Sequence, residues 1–62
     1  MDRAIIKSLE EYARLTAADM GETREAAVRA MRDEPGTVAR EVGCTAAKVS
    51  DWCARTLAGE VV

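Results

Sequence analysis

A chain of 62 residues has room for one domain, and so short a chain buries too little apolar surface to be very stable alone, so a marginal monomer or an oligomer is expected. Apolar residues make up 48% and charged residues 32%; the absence of Phe, a single Pro and alanine-rich runs favour helix over strand and predict an all-α class. The net charge is −2, no run approaches the roughly 18 to 20 apolar residues of a membrane span, and Asp2, Arg3 and Lys7 interrupt the start, so a cytoplasmic chain with neither leader nor membrane partner is expected.

The first predicted helix covers about residues 2–20. Ile5/Ile6, Leu9, Tyr12/Ala13, Thr16/Ala17 and Met20 recur at intervals of three and four, which places them on one apolar stripe, and Gly21 reads as the C-cap. The Ile5/Leu9/Tyr12 part of that stripe exceeds what the other helices need to close a core, and surplus of this kind marks a homodimer seam. A second helix is expected over about residues 22–32, with Ala27, Val28 and Met31 inward, Glu22 and Glu25 near its positive end, and Arg29 and Arg32 near its negative end. A spacing of four predicts surface pairs of Glu10 with Arg14 and of Glu25 with Arg29, while Arg24, Arg29 and Arg32 offer a basic edge as the other reading of the same residues. Asp33-Glu34-Pro35-Gly36 stops the second helix, because Pro35 cannot continue it without losing a backbone bond yet suits the first turn of the next.

The third unit, about residues 35–57, contains a scaffold helix of about 36–42 and a longer helix of 46–57, for about four helices in all. Within it the 20 residues from Pro35 to Ala54, PGTVAREVGCTAAKVSDWCA, specify helix, turn, cap and helix. Gly43 stands where a tight turn needs positive φ, and Ala39, four residues earlier, is small enough to let a second helix approach. Val38, Val42, Val49 and Trp52 supply the shared core, and Thr45 caps the following helix. Trp52 follows Val49 by three residues, on the face turned to the scaffold helix, which makes it the largest core element rather than a ligand-stacking residue. The tail Glu60-Val61-Val62 either frays, packs back on the first helix or pairs as a strand with a second copy.

The VAREVG segment, the turn and KVSDW together resemble the scaffold and recognition helices of small phage-type and bacterial helix-turn-helix regulators, the Cro/repressor-like superfamily and its activator relatives. The resemblance covers about twenty residues of 62. It implies a single helix-turn-helix domain over residues 1–62 whose partner is double-stranded DNA, bound in the major groove. Thr45, Ala47, Lys48, Ser50, Asp51 and Arg55 would then lie around the groove, with Arg40 on a phosphate. The recognition segment departs from the usual pattern in presenting Ala46, Ala47, Ser50, Asp51 and Ala54 where such helices carry Gln, Arg, Lys or Asn.

Charge placement limits the electrostatic share of any such binding. Residues 1–32 balance six acids with six bases, whereas residues 33–62 carry five acids against only Arg40, Lys48 and Arg55. Affinity per subunit should be low enough to require a dimer. The chain has no His and no phosphate-cradling glycine loop, and Ser8 and Ser50 lack a paired base, so no enzyme is expected. Cys44 and Cys53 lack metal-site spacing and read as small apolar core residues, with no cofactor or metal implied. Two functions therefore remain: a homodimeric DNA-binding regulator, and a protein-interaction module such as an anti-repressor, inhibitor or adaptor on the same scaffold, with the Ala-rich, Asp51-bearing helix as its interface.

Overall fold

The computed structural model describes residues 2–59, and those residues form four α-helices: α1 (Arg3–Met20), α2 (Arg24–Asp33), α3 (Pro35–Val42) and α4 (Ala46–Leu57). No strand occurs among the described residues, so the chain is all-α. The reading of the Glu60-Val61-Val62 tail lies outside them.

Each helix end has a local chemical cause. Asp2 is extended and accepts the Ala4 N–H on its carboxylate at 2.8 Å, starting α1. The helix stops at Gly21, whose φ of 68° turns the chain left-handed while the Gly21 and Glu22 amides donate back to the Ala18 and Ala17 carbonyls. That commitment of the Glu22 amide corrects the expected start of the second helix: Thr23 is the N-cap, its hydroxyl accepting the Ala26 N–H at 3.2 Å, and α2 runs two residues later than residue 22. At its other end α2 continues through Asp33, so the expected four-residue break shrinks to Glu34 alone. Glu34 leaves helical geometry at φ −128°, ψ 55°, and Pro35 occupies the first position of α3, where no amide donor is needed.

The core is assembled from all four helices. Leu9 and Ala13 of α1, Val28 and Met31 of α2, Val38 and Ala39 of α3, and Val49, Trp52 and Cys53 of α4 form one buried cluster. Ile5, Ile6, Tyr12, Val42, Cys44 and Leu57 pack around it half-buried. Of the expected seam along Ile5, Leu9 and Tyr12, Leu9 is 0% exposed within the single chain and belongs to the core instead, while Ile5 and Tyr12 are half-buried against it.

Arg24 ties three helices together at the surface of that core. Its guanidinium donates to both carboxylate oxygens of Glu10 on α1, at 2.6 and 2.7 Å, and its central carbon lies 5.9 Å from the Trp52 ring centroid on α4. Glu10 is therefore not paired with Arg14, as spacing alone predicts; Arg14 reaches Glu11 instead, at 3.2 Å. The Glu25–Arg29 pair does form, at 2.8 Å. These pairs are exposed and each contributes little, about 1 kcal/mol at most.

Candidate nucleic-acid interface

α3 and α4 are joined by Gly43, Cys44 and Thr45, and three local interactions set the angle between them. Gly43 takes φ 77°, ψ 40°, a left-handed conformation that L-residues resist, and the Gly43 and Cys44 amides both donate to the Ala39 carbonyl, at 2.9 and 3.0 Å. Thr45 is extended and its hydroxyl accepts the Lys48 N–H at 3.2 Å, opening α4. Ala39, 5% exposed, lies against α4 with no side chain beyond a methyl to hold the helices apart. Val38, Val49 and Trp52 are buried beside it, and Val42 and Cys44 are half-buried over the turn.

With Val49, Trp52 and Cys53 turned inward, the opposite side of α4 faces solvent. Ala47, Asp51 and Ala54 follow one another at intervals of four and three, all exposed, and form the centre line of that face. Ala58 continues the line just past the helix; the same spacing of four finds it in the sequence, although the expected contacts did not include it. Lys48 and Arg55 are exposed on one flank, and Ser50 is half-buried on the other. Arg40 is exposed on the last turn of α3. Of the expected contacts, Thr45 is exposed but its hydroxyl serves as the cap, and Arg55 is paired with Asp51 at 3.2 Å. Arg40 and Lys48 are the cations of this surface that make no ion pair among the described residues.

The expected basic edge on α2 is mostly neutralised in place. Arg24 is held by Glu10 and Arg29 by Glu25, which leaves Arg32 without an ion-pair partner among the described residues. Arg32 instead acts on Cys53: burial pushes the Cys53 thiol above its ordinary value, and the nearby guanidinium pulls it part of the way back. The thiol is fully buried and packs as a small apolar group. Cys44, half-buried, directs its sulfur to the Thr45 carbonyl at 3.6 Å; neither cysteine is in a disulfide. Among the described residues no group of three or more Cys, Asp or Glu side chains is placed to hold a metal ion, and no helix is long and apolar enough to cross a membrane.

No protein-family model matches the chain, and neither a curated protein nor a solved structure does.

Proposed function

We propose that the chain is a small helix-turn-helix DNA-binding transcriptional regulator that acts as a homodimer, with α4 entering the major groove. One observation carries the reading: Val38, Ala39, Val49, Trp52 and Cys53 of the α3–turn–α4 unit are consumed by the chain's own core, while the Ala47–Asp51–Ala54 face of α4 is left exposed with Lys48 and Arg55 on one flank, and Arg40 is exposed on α3. Alanines let the helix backbone approach base edges closely, and Arg40 and Lys48 supply phosphate contacts. With so few cations per subunit, two subunits acting together supply the affinity.

A second reading, a protein-interaction module such as an anti-repressor, inhibitor or adaptor, is favoured by the Asp51–Arg55 pair. That pair places a carboxylate at the middle of the face and neutralises one of its three cations. Anisotropy titration of labelled random duplex at about 50 mM salt, where counterion release most favours binding, separates the two. The regulator binds weakly, gains affinity on Asp51→Arg, and loses it across all sequences on Lys48→Ala or Arg40→Ala. If wild type and Asp51→Arg alike fail to bind, the protein-interaction reading replaces it.

A further inference from the structure

The α1/α3 groove is a second surface with a distinct chemical character among the described residues. Two depressions of about 230 and 300 Å³ lie along it, with Tyr12 lining both. Their apolar walls come from Tyr12 and Leu15 of α1, Met31 of α2, and Val38 and Val42 of α3. Leu15 is 57% exposed, the most exposed large apolar side chain among the described residues, and it sits beside Val42 rather than in the core. Glu11, Glu34 and Glu41 also line the groove, and no Lys or Arg does. Glu34 and Glu41 make no ion pair among the described residues.

Glu11 is already paired with Arg14, so an apolar floor edged by the two unpaired carboxylates Glu34 and Glu41 selects its occupant by charge. A second copy of this chain placed across the groove by a twofold axis brings the face bearing the unpaired Glu34 and Glu41 against the same acid-edged face of its partner, with no lining Lys or Arg to pair with it, an arrangement that like-charge repulsion opposes. An occupant with apolar residues on one side and Lys or Arg on the flanks satisfies both features at once. We propose that the α1/α3 groove docks a basic amphipathic helix of another protein, with Leu15 and Tyr12 gripping its apolar stripe and Glu34 and Glu41 pairing with its cations. The surface is separate from the α4 face and does not depend on whether that face reads DNA.

The test uses the full chain, isotope-labelled, and two synthetic peptides of the same amphipathic Leu pattern, one flanked by Lys and the other by Glu. Backbone chemical-shift mapping with the Lys peptide is expected to move signals around Tyr12, Leu15, Glu41 and Val42, saturably, and more weakly as salt rises. The Glu peptide is expected to leave them in place. Leu15→Ser and Glu41→Lys, both at exposed positions that the fold does not use, are expected to weaken the Lys peptide about tenfold each. The proposal is overturned if the Lys peptide moves no groove signals, if both peptides bind alike, if the shifts fall elsewhere, or if the variants bind unchanged. It is also overturned if sedimentation shows the chain dimerising through this face, with Leu15→Ser returning it to monomer.

Discussion

The same substitution made at two glycines should have opposite signs, and the difference isolates what the α3–α4 turn demands. At Gly43 a Cβ meets nothing within 4 Å, so the cost of a side chain comes only from the backbone, held at φ 77°. An L-residue in that region costs about 1–2 kcal/mol. Against this, alanine stabilises by restricting the unfolded chain, by about 0.4–1 kcal/mol. Gly43→Ala should therefore lose about 1 kcal/mol net, and Gly43→Val more, since a β-branched side chain resists the left-handed region further. Gly36 lies within α3, where an added methyl group likewise meets nothing within 4 Å, but its backbone is helical, so Gly36→Ala should gain about 0.5–1 kcal/mol. The two alanine variants then differ by about 2 kcal/mol, roughly 10 °C in melting temperature for a domain of this size. Thermal melts followed by circular dichroism read this directly. A Gly43→Ala variant melting at or above wild type, or a Gly36→Ala variant melting below it, would show that the turn does not work as described.

Thr45→Ala removes the α4 cap and should cost about 1 kcal/mol in urea unfolding, with Thr45→Ser recovering most of it; equal stability of all three proteins would mean the cap contributes nothing. Cys53→Ala should cost about 1–2 kcal/mol and Cys44→Ala less, as their burial differs. Because burial raises the folded-state value of the Cys53 thiol, its contribution is present below the ordinary 9.0 and is lost as pH rises through the raised value, so the alkaline decline in stability should flatten in Cys53→Ala. A decline that is identical in both proteins contradicts this. If the chain reads DNA as a dimer, two cations per subunit predict a salt slope of about −4, and Asp51→Asn, by releasing Arg55, should steepen it to about −5; an unchanged slope means Arg55 never reaches a phosphate.

Much of the architecture was legible from residues whose chemistry acts over a few positions. Gly21, Gly43 and Thr45 end or begin helices through their own backbone and hydroxyl, and Val38, Ala39, Val49 and Trp52 are buried together as their spacing predicts, whereas Val42, expected with them, is only half-buried. What spacing misjudged was competition. Glu10 has Arg14 four residues away, yet Arg24 arrives from α2 with better geometry, because the packing of α1 on α2 brings it there. The Ile5/Leu9/Tyr12 stripe looks surplus in isolation, yet Leu9 is fully buried and Ile5 and Tyr12 pack half-buried against the core shared with the other helices. On the α4 face, the spacing of four that pairs Glu25 with Arg29 also joins Asp51 to Arg55, which engage each other where both were expected around the groove, and Ser50, expected there too, is half-buried.

Trp52 has an optical consequence. It is the only tryptophan of the chain and 1% exposed, under the Arg24 guanidinium and at the centre of a core drawn from every helix. Its near-complete burial among apolar side chains of all four helices removes the ring from bulk water. Native emission should accordingly be blue, and any loss of packing between α1, α2 and α4 should redden it. Anything bound at Ala47, Asp51 or Ala54 stays on the far side of α4 from the ring, so the molecule reports on its own integrity in one signal while remaining dark to what its outer face holds.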